Sequence, residues 1–229
     1  MQNNSNPNLY FKNREDASQK LIDVLPMHLL ASHHAVMIGV SEGGVYFAHK
    51  LAQALNGEMD ILLTEPIMAP NNPEVPIAMI SETKEVVMHK ALVEAFEISE
   101  DYIYAQAERK YDEEVLSYVY KYRKGKELLP LEGKYVVLVD ECIETGLTMM
   151  VALKSVIERG AKNIYIATPI LDKTVYENLL SVCDGVFCPH KIQDYISIEY
   201  YYEDVEAITF EALEEMVEAS MNNHNQKKD

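Results

Sequence analysis

The segment from Val136 to Thr148, VVLVDECIETGLT, has the residue types and the spacing of a ligand-binding turn. Four apolar residues lead into two adjacent carboxylates, Asp140 and Glu141, and residues 144–148 then lead into a helical pattern. A Thr-Gly-x-Thr turn at a helix N-terminus offers clustered N–H groups, hydroxyls and the positive end of the helix dipole, which suit a monophosphate. The upstream carboxylates suit sugar hydroxyls. The spacing therefore indicates a site for a phosphate joined to a polyol, although the Thr-Gly-x-Thr fragment alone also fits an ordinary strand–helix junction.

The sequence excludes two commoner nucleotide motifs, because this segment contains neither GxxxxGK[ST] nor GxGxxG. A second short motif, Gly39–Gly43, matches the GxSxG pattern of serine hydrolases and places Ser41 between a predicted strand and a predicted helix. Asp184 and His190 follow as candidate partners in the required order. Only about 35 residues precede this motif, too few for the strands that precede a nucleophile elbow, so a hydrolase is a remote alternative.

To bind a ligand, each of the two motifs must lie in a turn between a strand and the helix that follows it. Apolar runs bounded by turn residues predict buried strands at 35–40, 59–64, 134–141, 163–170 and 184–188. Apolar residues at helical spacing predict helices from Asn13 to about Pro26, and at 45–55, 99–123, 148–159, 172–182 and 210–219. The stretch 66–76 contains four prolines, so we expect no regular structure there, and we expect short strands within 77–88. This order predicts an α/β fold with a mostly parallel sheet, helices on both faces and an insertion at about 66–130.

Composition and charge exclude several classes of protein. The chain has 229 residues, of which 48% are hydrophobic and 25% charged, as in ordinary globular proteins. A net charge of −17 disfavours nucleic acids and anionic membrane surfaces as partners. Three cysteines without CxxC spacing argue against a disulfide scaffold or a zinc ribbon. We expect a cytoplasmic protein without a membrane span, because no apolar run approaches 20 residues.

The sequence also predicts how the chain is divided. Residues 1–10 and 220–229 are polar and are expected to be flexible tails, and residues 11–219 are expected to form a single domain. The tyrosines at 200–202 are expected on an edge strand that alternates between core and surface, and they could alternatively stack against a base.

Several segments together resemble a known family. The stretch 136–148 is similar to the signature with which type I phosphoribosyltransferases bind phosphoribosyl pyrophosphate. The segments FKNREDASQKL, IGVSEGGVYFAHKLA, APNNPEVPIAMISE and VFCPHKIQDYISIEYYYEDVEAIT are similar to a subgroup of phosphoribosyltransferases whose substrates are undefined. The resemblance covers residues 11 to about 217. It implies a type I phosphoribosyltransferase-like fold with an inserted hood, a small C-terminal extension, and a homodimer.

The resemblance also implies a reaction and roles for individual residues. The reaction transfers a 5-phosphoribosyl group between phosphoribosyl pyrophosphate and a nitrogenous base, purine or pyrimidine. Mg²⁺ would bridge the ribose hydroxyls and pyrophosphate, with Asp140 and Glu141 as possible ligands. Glu144 matches a carboxylate that handles a base proton in relatives; a catalytic base and a solvent-facing loop acid both remain open. The binding residues are Asp140 and Glu141 for ribose, both expected to be exposed, Glu144, Thr145, Gly146, Leu147 and Thr148 for the 5′-phosphate, and Ser41, Glu42, Gly43 and Gly44 for pyrophosphate.

Two positions depart from the subgroup pattern. Glu42 stands where the subgroup usually has Arg, and Glu65 stands where it usually has a basic residue. Two like charges about 4 Å apart repel by about 4 kcal/mol at an effective dielectric of about 20, so pyrophosphate binding should suffer. The basic patch, Lys121–Lys126 with Arg109 and Lys110, either folds over the leaving group or is a solvated helix end. The departures support an alternative function, a non-catalytic module that senses a nucleotide or a ribose phosphate on the same fold.

Overall fold

The computed structural model describes residues 9–226, with side chains described through Ser220. Within them the strands are β1 (Val36–Gly39), β2 (Glu58–Ile61), β3 (Thr64–Ala69), β4 (Asn72–Ser81), β5 (Val86–Met88), β6 (Tyr135–Val139), β7 (Cys142–Ile143), β8 (Asn163–Ala167), β9 (Ile170–Asp172), β10 (Gly185–Phe187) and β11 (His190–Ile192). The helices are α1 (Arg14–Val24), α2 (Met27–Ser32), α3 (Glu42–Leu55), α4 (Lys90–Ala95), α5 (Glu100–Lys110), α6 (Leu116–Arg123), α7 (Leu147–Glu158), α8 (Lys173–Leu180) and α9 (Phe210–Gln226).

A five-stranded parallel sheet in the order β10-β8-β6-β1-β2 forms the centre of the fold. Successive side chains of a strand point to opposite faces, and the two core clusters follow this alternation. Met37, Val137 and Val139 pack with residues of α1, α3 and α9. Val36 and Leu138, one residue out of phase, pack with residues of α7 and α8. The predicted α/β class, with a mostly parallel sheet and helices on both faces, is confirmed.

Three neighbouring strands break and restart at one end of this sheet. β6, β8 and β10 each stop, and two residues later β7, β9 and β11 begin a smaller parallel sheet in the same spatial order. The breaks at 168–169 and 188–189 each contain a proline, which has no N–H to donate to a ladder. The break at 140–141 holds the two adjacent carboxylates. The run 163–170, predicted as one strand, is therefore two strands, and the carboxylates lie at the break between β6 and β7.

The prediction that 66–76 lacks regular structure is wrong. β3 and β4 form an antiparallel hairpin across this stretch, with register shifts on both sides of Met68. Pro66 lies on β3, an edge strand, and Pro76 pairs with Met68 at the irregularity. β5 pairs with β4 only from Ala78 to Ile80, so the prolines of β4 lie outside the part that has neighbours on both sides. Edges and bulges are where a sheet tolerates proline.

The hairpin and the helices that follow it enclose a core of their own. Its buried residues come from β3, β4, α4 and the long helix, and include Ile67, Ile77, Ile80, Ile103 and Val115. The predicted helix 99–123 begins at its predicted cap, where the Ser99 hydroxyl accepts a hydrogen bond from Tyr102 N at 3.3 Å. It contains one π-helical turn at Tyr111–Val115, between α5 and α6. We call residues 64–123 the hood layer.

The start of the described chain lies against the segment that precedes α9. Tyr10 N and Phe11 N both donate to Tyr201 O, at 3.0 and 3.1 Å, and Glu203 N donates to Phe11 O at 2.9 Å. Tyr201 and Tyr202 are each 3% exposed, and a short 3₁₀ turn at Ile198–Tyr200 precedes them, so the predicted alternating edge strand is wrong. We call the paired segments 10–14 and 201–206 the terminal clasp.

The expected tails differ from the described structure. Tyr10, expected in the N-terminal tail, stacks on His190 with the ring centroids 4.3 Å apart, while residues 1–8 lie outside the described residues. Helix α9 continues through Gln226, beyond the expected start of a C-terminal tail at 220. Residues 227–229 lie outside the described residues. Within residues 9–226 no helix is both long and apolar enough to cross a membrane.

Candidate functional site

Two loops meet at the carboxyl ends of β1 and β6, which are adjacent parallel strands. Ser41 caps α3 by accepting a hydrogen bond from Gly44 N at 2.9 Å, and its hydroxyl donates to Asp140 Oδ1 at 2.5 Å. We call residues 41–44 the Gly-Gly loop and residues 140–148 the carboxylate loop. The structure thus brings together the two groups of residues that the sequence selects as ligand-binding, although 99 positions separate Ser41 from Asp140.

Two glycines make this close approach possible. A Cβ atom added to Gly43 would lie 2.2 Å from Glu141 Oε2, and one added to Gly44 would lie 2.4 Å from Val139 O. Real Cβ atoms do not approach other atoms so closely, and a backbone carbonyl has little room to move. The pair of glycines therefore lets the first turn of α3 lie directly against the carboxylate loop.

Asp140 is buried, contrary to our expectation that it is exposed, with 8% of its surface accessible. Its Oδ1 accepts hydrogen bonds from Ser41 Oγ and, at 2.8 Å, from Glu141 N. Burial raises the pKa of Asp140 to about 6, because removal from water penalises the charged form more than these hydrogen bonds favour it. The Gly-Gly loop covers Asp140, and this contact between distant segments cannot be seen in the sequence around Asp140.

Glu141 is also 8% exposed, and the side chain that covers it is Arg14. Arg14 Nε donates to Glu141 Oε1 at 2.8 Å, and Arg14 Nη2 donates to Oε2 at 3.1 Å. This two-pronged geometry is the strongest form of a carboxylate–guanidinium pair. Sequence reasoning missed Arg14, which lies 127 positions from its partner. The one signal was that FKNREDASQKL, which contains Arg14, belongs to the segments that carry the family resemblance.

The second half of the carboxylate loop forms an open cradle at the start of α7. Gly146 has φ +75°, a left-handed conformation that glycine adopts without strain, and a Cβ there would lie 2.5 Å from Val175 Cγ1. Gly146 provides no side-chain cap, and Thr145 Oγ1 accepts only a long bond of 3.4 Å from Leu147 N. A cleft of about 200 Å³ is lined by Asp140 and by residues 142–149. The first N–H groups of α7 have no carbonyl partner within the helix, and together with the helix dipole they suit an anion.

Glu144 is exposed at the rim of this cleft. Its charge acts on Cys142 and Tyr195, and it raises the pKa of both groups after the larger effect of burial. A carboxylate in this position reaches solvent and is not held by a described cation. The geometry permits a base and a solvent-facing acid alike.

Glu42 and Glu65, the two acids that differ from the subgroup pattern, lie around a neighbouring cleft. This cleft of about 330 Å³ is lined by residues 40–42 and 61–65, and by Tyr118, Lys121 and Tyr122 of the hood layer. Glu42 is exposed in the first turn of α3. Glu65 is largely covered and lies 3.6 Å from Lys110 Nζ.

Glu65 is therefore not a free negative charge. Burial, and next the neighbouring Glu114 carboxylate, raise the pKa of Glu65. Lys110 Nζ also bonds Glu114 Oε1, at 2.5 Å, so one ammonium group serves two carboxylates. The repulsion expected of Glu65 toward a phosphate is reduced by Lys110, whereas Glu42 has no ion-pair partner among the described residues.

The basic patch does not act as a unit, and both interpretations of it need correction. Arg123 is 0% exposed and pairs with the buried carboxylates Asp60 and Glu82, so it is neither solvated nor free to meet a leaving group. Lys124 pairs with Glu214 on α9. Lys121 is the one basic residue among 121–126 that lines the cleft beside Glu42, and its ammonium group lies 3.9 Å from the centroid of the Phe210 ring.

The described residues do not form a hydrolase triad. The Ser41 hydroxyl donates to Asp140, and the His190 ring is stacked on Tyr10. Asp184 accepts a hydrogen bond from Ile164 N at 2.7 Å, near the start of β8 and thus at the end of the sheet opposite Ser41. The serine hydrolase alternative is wrong for this arrangement.

The chain also matches known proteins. The model of the phosphoribosyl transferase domain family matches residues 4–204, most of the chain. The chain belongs to the phosphoribosyl transferase family. The predicted family is thereby confirmed.

Two relatives extend this result. The protein named Putative phosphoribosyl transferase Rv0571c, from Mycobacterium tuberculosis, is 28% identical over 178 residues, or 78% of this chain. The chain spans only 40% of the length of that relative. The crystal structure of TT1426 from Thermus thermophilus is similar with a TM-score of 0.73 and 27% identity, covering 91% of this chain and 98% of that one. The phosphoribosyl transferase fold described here is thus shared almost end to end with a solved protein.

Proposed function

We propose that this phosphoribosyl transferase moves a 5-phosphoribosyl group between phosphoribosyl pyrophosphate and a nitrogenous base. The observation that carries this proposal is the meeting of the Gly-Gly loop and the carboxylate loop, joined by the hydrogen bond from Ser41 to Asp140. One loop offers a phosphate cradle beside two carboxylates, and the other offers the first turn of α3. A sugar phosphate with a second phosphorylated group needs this set of partners.

Each part of the site has a proposed task. The N-terminus of α7, with Thr145–Thr148, holds the 5′-phosphate, and Asp140 and Glu141 accept hydrogen bonds from the ribose hydroxyls. The Gly-Gly loop meets pyrophosphate through the backbone N–H groups of Glu42 and Gly43, because that of Gly44 already donates to Ser41 Oγ. Glu144, exposed at the rim, accepts the proton that the base loses as its nitrogen bonds to ribose.

The residues present are compatible with Mg²⁺ held largely by the substrate. Mg²⁺ binds through one or two carboxylates together with phosphate oxygens and water. Asp140 has no cation partner among the described residues, and within residues 9–226 no group of three or more potential metal-ligating side chains occurs. Asp140, with Glu141 beside it, would hold the ion beside the ribose hydroxyls. When bound, Mg²⁺ neutralises charge that develops on pyrophosphate as it leaves.

A second function is favoured by Glu42. This carboxylate is exposed where the leaving group would lie, and Lys121 is the one cation of residues 121–126 on that cleft. A protein that keeps the ribose-phosphate cradle but repels pyrophosphate would serve as a non-catalytic sensor of a nucleotide or ribose phosphate. The two proposals share the carboxylate loop and differ at Glu42.

Calorimetric titration with phosphoribosyl pyrophosphate and with ribose 5-phosphate, each with Mg²⁺, separates them. Tighter binding of phosphoribosyl pyrophosphate than of ribose 5-phosphate supports the transferase. In that case, nitrogenous bases are screened for the release of pyrophosphate. Equal binding supports the sensor, and binding of neither contradicts both. Asp140→Asn with Glu141→Gln should abolish binding, whereas Asp184→Asn, a control at the opposite end of the sheet, should not.

Substitution of Glu42 tests directly whether this carboxylate weakens pyrophosphate binding. Glu42→Arg removes a negative charge and adds a positive one beside the cleft, so binding of the pyrophosphorylated ligand should tighten by about 10-fold, while that of ribose 5-phosphate changes little. Glu74→Arg, an exposed charge reversal on the β3–β4 hairpin, is the control for net charge. Equal effects of the two reversals would show that Glu42 has no local role. The expected homodimer remains a proposal that sedimentation equilibrium tests.

A further inference from the structure

Arg14 connects three separate parts of the fold. It is the first residue of α1, its guanidinium holds both oxygens of Glu141, and its Nη1 donates to the carbonyl oxygen of Glu206. Only 15% of the Arg14 side chain and 10% of that of Glu141 are exposed. The guanidinium therefore lies between segment 201–206 of the terminal clasp and the carboxylate loop.

The position of Arg14 is fixed by the clasp rather than by α1 alone. Asn13 caps α1 by accepting a hydrogen bond from Asp16 N at 3.0 Å. The preceding residues, Phe11 and Lys12, accept hydrogen bonds from Glu203 N and Asp204 N at 2.9 and 3.0 Å. These bonds set where the chain enters the helix and hence where the Arg14 side chain starts.

Glu141 is held from two sides. Arg14 binds both of its oxygens, and on the other side Gly43 leaves no room for a Cβ, which would lie 2.2 Å from Oε2. A carboxylate has about four lone-pair positions, so a bidentate guanidinium leaves acceptor capacity for a further donor. The carboxylate is restricted in orientation while it can still bind a hydroxyl.

A buried hydroxyl lies close to this pair. Tyr202 is 3% exposed and its Oη has no hydrogen-bond partner among the described residues. Burial raises the pKa of Tyr202, the Glu141 charge raises it further, and Arg14 opposes that effect. Tyr202, a residue of the terminal clasp, thus experiences the charges of both members of the pair.

We propose that Arg14 is a positioning residue for the ribose site, which orients Glu141 and keeps a second negative charge tolerable beside Asp140. This inference rests on the proposed function. It assigns Arg14 to ribose recognition through Glu141, with no contact to the phosphate cradle at Thr145–Thr148. Loss of Arg14 should therefore weaken binding of the sugar more than binding of phosphate.

The test compares two ligands in three variants of Arg14 and Glu141. Ribose 5-phosphate is titrated by calorimetry, and inorganic phosphate by ³¹P NMR, at a temperature where each variant is folded. Arg14→Met should weaken ribose 5-phosphate binding by about 10-fold to 100-fold, as expected when a group that orients a ligand partner is lost. Inorganic phosphate binding should change little. Arg14→Met in a Glu141→Gln background should add no further loss.

Two further variants make the result specific. Arg14→Lys keeps the charge but not the two-pronged geometry, so it should restore part of the ribose 5-phosphate affinity and decides the question if Arg14→Met does not fold. Lys50→Met is the matched control. It removes one positive charge that pairs with the neighbouring residue, Glu15, at 2.6 Å, and should leave both affinities unchanged.

The outcomes are distinguishable. A parallel loss for both ligands, or an additive loss in the Glu141→Gln background, overturns the positioning role and leaves the proposed function standing. Unchanged ribose 5-phosphate affinity in folded Arg14→Met also overturns it. Failure of the unaltered protein to bind either ribose 5-phosphate or phosphoribosyl pyrophosphate overturns the proposed function and this inference together.

Discussion

Replacing Asp140 by Asn should make the protein more stable near neutral pH while it abolishes ribose binding. The folded protein raises the pKa of Asp140 from an ordinary 3.8 to about 6. A raised carboxyl pKa means that the folded state binds the proton more tightly than the unfolded state. Its contribution to stability is therefore fully present below about pH 4 and is lost as the pH rises through 6.

The magnitude follows from the shift. Each pKa unit corresponds to about 1.4 kcal/mol, so ionising Asp140 in its buried position costs about 3 kcal/mol. An Asn side chain avoids this cost and can still accept from Ser41 Oγ. Its NH₂ group would meet the Cys142 N–H, which now donates to the carboxylate, and that lost bond costs about 1 kcal/mol. We expect Asp140→Asn to gain about 2 kcal/mol at pH 7.5, or about 4–8 °C in Tm.

Urea unfolding of both proteins at intervals from pH 4 to pH 8 measures this difference. The gain should be absent near pH 4 and should grow until about pH 7. Asp172→Asn is the control, since Asp172 is similarly buried but has a lowered pKa: burial raises it, and hydrogen bonds from Thr174 outweigh that effect. That variant should lose stability at pH 7.5. A pH-independent difference, or a less stable Asp140→Asn at pH 7.5, would refute the reasoning.

Two other substitutions test the close packing of the site and the buried charge of the hood layer. Gly43→Ala should displace Glu141 and weaken ribose 5-phosphate binding by about 10-fold in calorimetry. The control is Gly57→Ala, whose Cβ would meet no atom closer than 3.4 Å, and this variant should bind ribose 5-phosphate unchanged. Equal effects of the two substitutions would contradict the steric argument. Arg123→Met leaves two buried carboxylates without their cation and should cost about 3–5 kcal/mol in urea unfolding, with a smaller loss near pH 4 because burial raises the pKa of both acids. The exposed counterpart Arg109→Met should cost less than about 1 kcal/mol, and a similar cost for the two would show that Arg123 is not held by its pair.

The parts of the site that are continuous in sequence could be predicted from it. An apolar strand, a turn and a helix follow each other directly around Ser41 and again around Asp140, so pattern and spacing suffice to predict both loops. The order of elements predicts that both strands end at the same edge of a parallel sheet. The family resemblance indicated that the two loops share a ligand, which local pattern alone does not.

Features that depend on distant contacts could not be predicted. The burial of Asp140 and Glu141 comes from the Gly-Gly loop and from Arg14, which no local pattern places beside them. Arg123 stands in a run of basic residues that is typical of a solvated surface, and its buried partners lie on β2 and just after β4. A cluster of like charges in sequence does not show which of its members the fold will enclose.

The helix 99–123 is an intermediate case. Its apolar stripe, Ile103 to Val119, has a spacing of four residues, and each such step rotates by about 40° relative to a regular α-helical face. Three or four steps would carry the stripe away from the core. The π-helical turn at Tyr111–Val115 accommodates more residues per turn and returns the stripe to one side, so that Ile103 and Val115 are both 0% exposed. In the sequence, the π-helical turn is visible only as a four-residue spacing of the apolar stripe where a regular α-helix has 3.6 residues per turn.

The terminal clasp also has a consequence for the order in which the protein is made. Glu206, whose carbonyl accepts from Arg14, is 65 residues beyond Glu141 in the chain. At about 5–20 residues per second, the ribosome adds it about 3–13 s after Glu141. Until then the nascent chain holds a carboxylate loop without the segment that fixes its guanidinium partner, and burying Glu141 alone would be unfavourable. Completion of the proposed ribose site is thereby tied to synthesis of the C-terminal segment.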